Sequence, residues 1–167
     1  MKRRPLLLVA AALIFASISA PGCGYSSSLR VAERYPSVGL EFFDNDSFER
    51  DLERPLHDEL SRALRNMSDA RLVEPGKADA VVKGRIILYN RRGGIRSPDN
   101  VLLETGVRID VEAALYVRGQ LEPSRKERIS KAVGYTLDDP NNETEARNRA
   151  LRHIAEEVVL TLLAPVN

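Results

Sequence analysis

Two histidines, His57 and His153, are the chain's readiest proton carriers near neutrality. Each falls on a segment that reads as a helix, with no cysteine nearby and no second histidine three or four residues away, so zinc and facial-triad spacings are both missing. We read each as a surface or boundary residue. No Gly-x-Ser-x-Gly elbow, phosphate-binding glycine loop or Cys–His couple occurs. Asp138 and Asp139 resemble a carboxylate pair, but they stand where a helix start favours acids, so capping is the preferred account. Gly93-Gly94 belongs to a turn between Asn90 and Asn100, where glycine permits positive φ. No metal, cofactor or catalytic residue is therefore expected.

Two basic clusters remain. Arg91, Arg92 and Arg96 crowd a hairpin tip, and Arg125, Lys126, Arg128 and Lys131 run along a strand. Guanidinium groups bind phosphate through two parallel hydrogen bonds, so these residues are candidates for lipid phosphates; a solvated rim is the competing reading. Lys83, Arg85, Arg108 and Arg118 read either as a polar sheet face or as a face enclosed by a partner.

Composition sets the outer bounds. The chain has 167 residues with a single cysteine, which excludes a disulfide framework. Its 25 basic and 24 acidic residues, 5% aromatics and absence of Trp argue against bulk nucleic-acid binding and against a base-stacking platform. The N-terminus differs from the rest. Lys2, Arg3 and Arg4 precede an apolar run from Leu6 to Ile18 that ends at Ala20-Pro21-Gly22-Cys23. A basic segment before a short apolar one is the build of an export signal, and the run is shorter than the roughly 20 residues a membrane-crossing helix needs. Cys23, directly after small residues at the end of that segment, resembles the cysteine that closes a bacterial lipobox, so residues 1–22 are expected to be removed and Cys23 to be acylated. A soluble periplasmic protein cut near Ala20 is the alternative. Several acyl chains on Cys23 would hold the domain firmly on a membrane. Gly24, in place of the Asp that retains many lipoproteins at the inner membrane, points by the same resemblance to the outer membrane. Lys2, Arg3 and Arg4 leave with the signal and no acid does, which turns a formal charge of +1 into −2.

Residues 23–36 read as the acylated cysteine and a tether, with the domain spanning 37–167. A short strand is expected from Val38 to Phe43. Leu56, Leu60, Ala63, Leu64 and Met67 then share one helical face, with Pro55 restricting the helix start to Glu53 or Arg54. Alternation of period two runs from Asp79 to Tyr89, placing Ile86 and Leu88 on one face with Tyr89 opposite. It recurs as Val107, Ile109, Val111, Ala113 and Leu115 against Arg108, Asp110, Glu112, Ala114 and Tyr116. Lys126 to Leu137 give another strand, with Ile129, Val133, Tyr135 and Leu137 inward. Asn142 with Glu145 reads as a capping box, with Asp139-Pro140 as a competing start. The apolar stripe Ala150, Leu151, Ile154, Ala155, Val158, Val159 and Leu162 marks the last helix. The expected architecture is an α+β two-layer sandwich, two helices packed on one face of a mostly antiparallel sheet of about four strands.

With these elements in order, the chain resembles the LPS-assembly lipoprotein LptE family. The likeness lies in Gly22-Cys23-Gly24-Tyr25, in Val38 through Phe48 leading to Leu52-Glu53, in Ala78 through Ile86, in the long alternating strand, and in Glu145-Ala146 through Val159. The resemblance implies a lipid-anchored outer-membrane protein of a Gram-negative cell, without turnover chemistry. It also implies a place in the lumen of the LptD β-barrel, with lipopolysaccharide as the second partner. Arg91, Arg92, Arg96, Arg125 and Lys126 are the candidate lipopolysaccharide contacts. Activators of penicillin-binding proteins and curli-secretion lipoproteins resemble the first half of the chain and form the competing class. A stand-alone periplasmic lipid carrier is a third, and it would need an apolar cavity.

Overall fold

Alternating apolar residues make the strands of this fold, and the faces they bury all meet in one core. The computed structural model describes residues 29–94, 98–99 and 104–165, with the backbone alone for Arg92 and Glu104. Its elements are β1 (Ser37–Leu40), β2 (Asp44–Asn45), α1 (Glu53–Met67), β3 (Arg71–Val73), β4 (Ala80–Arg92), β5 (Glu104–Val117), β6 (Arg125–Thr136) and α2 (Asn142–Leu163), with a 3₁₀ turn at Pro75–Lys77. The strands form one sheet in the order β3-β1-β4-β5-β6, and β2 pairs with β4 beyond the end of β1.

Both helices cover the same face. Leu56, Leu60, Ala63 and Leu64 of α1 and the stripe from Ala146 to Leu163 of α2 pack with Val82, Ile86, Val107, Ile109, Val111, Leu115 and Ile129 of the sheet. The α+β class and the two helices are as expected. The sheet is not: it has six strands and is mixed, since β1 pairs in parallel with β3 and β4, and β2 in parallel with β4, while β4–β5–β6 is antiparallel. Helix α1 is the physical reason. A helix lying on one sheet face between two strands returns the chain to the end from which it left, so the strands on either side of it run parallel. With two and three residues, β2 and β3 are also too short to show a period.

The packed domain also begins earlier than residue 37. Val31 and Tyr35 are buried, the Leu29 amide donates to the Met67 carbonyl at 2.6 Å, and Asp69 Oδ1 accepts from the amides of Val31 and Ala32 at 2.7 Å each. The segment expected as the end of a tether is thus docked across the C-terminus of α1.

Two further differences are local. A β-bulge between Ile86 and Leu88 shifts the register from Ile86 opposite Val111 to Leu88 opposite Asp110. One extra residue reverses the faces of all that follow, so Tyr89 and Arg91 turn toward the helices and Leu88 turns away. At the start of α2 no side-chain cap forms. Asn142 Nδ2 instead donates to the Thr136 carbonyl at 3.1 Å and to Asp138 Oδ1 at 3.0 Å, while Asp139 Oδ1 accepts from the Asn141 amide. Finally, Leu137 is exposed where an inward position was expected.

Candidate functional site: the uncovered sheet face

The face opposite the helices is built by the polar members of the same alternation. Lys83 and Arg85 of β4, Arg108, Asp110, Glu112 and Tyr116 of β5, and Lys126, Arg128 and Ser130 of β6 project from it. Nearly every charge there has a neighbour of opposite sign. Lys83 Nζ lies 2.8 Å from Glu41 Oε1 and also over the Tyr116 ring, 5.4 Å from its centroid. Arg85 donates through Nε and Nη2 to Glu112 Oε2 at 3.2 and 3.0 Å, and Lys126 Nζ approaches the same oxygen at 3.5 Å. Hydrogen bonds from Arg85 lead the causes that hold the Glu112 carboxyl below its usual range and the Arg85 guanidinium above its own.

Asp110 is the centre of this face. Only 1% of it is exposed, because the Arg108 and Arg128 side chains lie across it. Arg108 Nε and Nη2 donate to its two oxygens at 2.8 and 3.1 Å, Arg128 Nη2 at 3.1 Å and Ser130 Oγ at 2.7 Å. The Arg108 hydrogen bonds, opposed by burial and aided by Ser130 and Arg128, hold its carboxyl at about 2. A carboxylate so acidic and so enclosed is a structural anion at neutral pH rather than a proton carrier. A shallow depression of about 270 Å³ between Asp44, Arg85, Tyr116 and Lys126 meets a second of about 350 Å³ that runs past Val81 to Leu121; Lys83 and Tyr116 border both.

The expected anion-binding residues fall at opposite ends of the sheet. Arg91 pairs with Val107 and Arg125 with Leu115 along β5, a separation of about 27 Å, so the two clusters do not form one site. Arg91 Nε donates to Glu143 Oε1 at 2.7 Å; Tyr89 and Tyr135 donate to the same carboxylate at 3.0 Å each. Burial raises the Glu143 pKa, but the bonds from Arg91, Tyr135 and Tyr89 outweigh it and hold the group below its usual range. Burial, followed by the bond to Glu143, lifts both tyrosines above theirs. Arg125 Nη1 donates to the carbonyls of Thr161, Leu162 and Ala164 at 2.9, 3.2 and 2.7 Å, capping the C-terminus of α2. Arg92 ends β4, while Arg96 and Cys23 lie outside the described residues.

Asp110 and Glu143 were not singled out from the sequence. Arg108 and Asp110, two apart on one strand face, were a usable signal for the first; nothing announced the second, since the bulge alone brings Tyr89 and Arg91 to α2. His57 is half-buried and stacks on Phe42 with centroids 4.1 Å apart, while His153 is exposed. Among the described residues no group of three or more His, Cys, Asp or Glu is placed to hold a metal.

A family model described as LptE, lipopolysaccharide-assembly, matches residues 35–164. No curated protein matches the chain. Among solved structures it is similar to protein XCC0632 of Xanthomonas campestris, with 13% identity, TM-score 0.60, and 82% of this chain and 91% of that chain covered. It is also similar to the PelC dodecamer of Paraburkholderia phytofirmans, with 13% identity, TM-score 0.54 and 77% and 89% covered. The hypothetical protein CT253 of Chlamydia trachomatis, at 13% identity, TM-score 0.54 and 75% and 96% covered, has the same fold. At such identities these likenesses bear on fold alone.

Proposed function

From the premise that the chain belongs to the LptE lipopolysaccharide-assembly family, we propose that it is an outer-membrane lipoprotein, anchored by acylated Cys23, whose uncovered sheet face docks in the lumen of an LptD-type β-barrel. Its role is to fill and support that barrel and to assist passage of lipopolysaccharide, without turnover of a substrate. The observation that supports this most is the character of the uncovered face. An apolar face there would call for a second layer of protein or for lipid, whereas large outer-membrane barrels have polar interiors. A face of preformed ion pairs can enter such a lumen without stranding a charge, because Asp110, Glu112 and their guanidiniums already satisfy one another. Arg91, Arg92 and Arg96 form one candidate contact for lipopolysaccharide phosphates and Arg125 and Lys126 another, with Arg91 and Arg125 at opposite ends of the sheet.

The docking face is tested by placing a photo-activated cross-linker at Tyr116 or Lys126 on the sheet face, or at Arg149, which is exposed on α2. The expected result is a product with a large β-barrel from the sheet positions. Products only from Arg149 would reverse the docking face, and products only with a peptidoglycan synthase would replace the function.

A further inference from the structure

A turn at one pole of the domain, carrying an exposed leucine between two arginines that form no ion pair among the described residues, defines a second surface. The described chain begins at this pole, where Leu29 pairs with Ser68 at the end of α1, and α2 ends there, where Arg125 reaches its last carbonyls. The turn between β5 and β6 lies at the same pole, since Val117 is opposite Ala80 and Leu115 opposite Arg125. Leu121 in that turn is 97% exposed, and Leu160 in the last turn of α2 is 44% exposed. Arg118 and Arg125 flank the turn.

These arginines differ from the cations of the sheet face. Arg118 donates to the carbonyls of Ala78 and Lys77, and Arg125 to those at the end of α2, so among the described residues both are held by neutral oxygens and neither makes an ion pair. Asp79, the acid whose charge Arg118 feels, is itself bonded to the Ser37 hydroxyl and amide. Glu122 is the one acid within the turn. Fixed positive charge beside a protruding leucine matches the chemistry of a bilayer interface, where phosphates lie above acyl chains.

Chain length selects which membrane. Six residue steps from Cys23 to Leu29 span at most about 20 Å, whereas β4 alone carries the opposite pole about 40 Å away. We propose that Leu121 inserts into the interface of the leaflet that holds the Cys23 anchor, with Arg118 and Arg125 facing lipid phosphates, so that the hairpin pole points away from that leaflet. This rests on the lipoprotein reading above and concerns the protein before it enters a barrel.

The chain has no Trp, so Leu121→Trp and Leu137→Trp each create a single reporter, the second near the opposite pole. Purified full-length acylated protein bearing either one is bound to vesicles of phosphatidylethanolamine and phosphatidylglycerol, with and without brominated acyl chains. The expected result is co-sedimentation of both variants, with emission shifted to shorter wavelength and quenched by brominated lipid for Leu121→Trp alone. Co-sedimentation with both reporters unquenched overturns the insertion while leaving the anchor reading intact. Protein that stays in the supernatant overturns the anchor reading and the insertion with it.

Discussion

At Asp110 a buried carboxylate, two guanidiniums and a hydroxyl hold one another in place, and the sign of its pKa shift fixes how the fold responds to acid. Its folded pKa is about 2 against an ordinary 3.8. A depressed carboxyl pKa stabilises the fold above the unfolded value and ceases to do so as pH falls through the folded one. The contribution is therefore complete above about pH 4 and lost toward about pH 2. The full shift corresponds to on the order of 2 kcal/mol, which the half-exposed guanidiniums reduce to about 1 to 2 kcal/mol. Asp110→Asn is expected to lower stability at neutral pH by that amount. Parent and variant should converge as pH approaches 2, as denaturant unfolding at several pH values would register. A constant difference across that range would show that the residue acts through packing instead. The sequence displayed the two neighbours Arg108 and Asp110 but not Arg128 and Ser130, which join them only through the register of β5 and β6.

Glycine in the middle of a strand has a steric cause in β4. A Cβ on Gly84 would collide with the Glu112 carbonyl oxygen and the Phe43 ring. Phe43, itself buried, packs over the sheet at the one position where β4 has no side chain. Gly84→Ala is expected to cost about 1 to 3 kcal/mol by overpacking, measurable as a lower midpoint in thermal unfolding. An unchanged midpoint would mean that Phe43 has somewhere else to go. Long elements were the ones legible in the sequence. The stripes of α1 and α2 and the inward set of β5 are buried as their spacing required, since ten or more residues of one period leave little choice of face. Shorter features were hidden. Residues 29–36 carry only Val31 and Tyr35 into the core, the parallel pairings depend on where α1 lies, and the bulge at Ile87 breaks a period that reads as continuous.

Across the whole molecule, one sheet face is closed by helices, the other is open and internally neutralised, and the two clusters that hold Arg91 and Arg125 lie at opposite poles. This division gives the two basic clusters different jobs. Arg125 caps a helix at the pole where the described chain begins, and Arg91 braces the hairpin base through Glu143 at the other. What distinguishes a barrel component from an activator of a synthase is the partner that the open face meets. The decisive measurement is a mild-detergent pull-down of full-length tagged protein from the membranes of its own cell, followed by mass spectrometry of what remains bound. We expect a large β-barrel of the LptD type at near-equal amount. Recovery of a peptidoglycan synthase, or of self-copies alone, would contradict the translocon assignment.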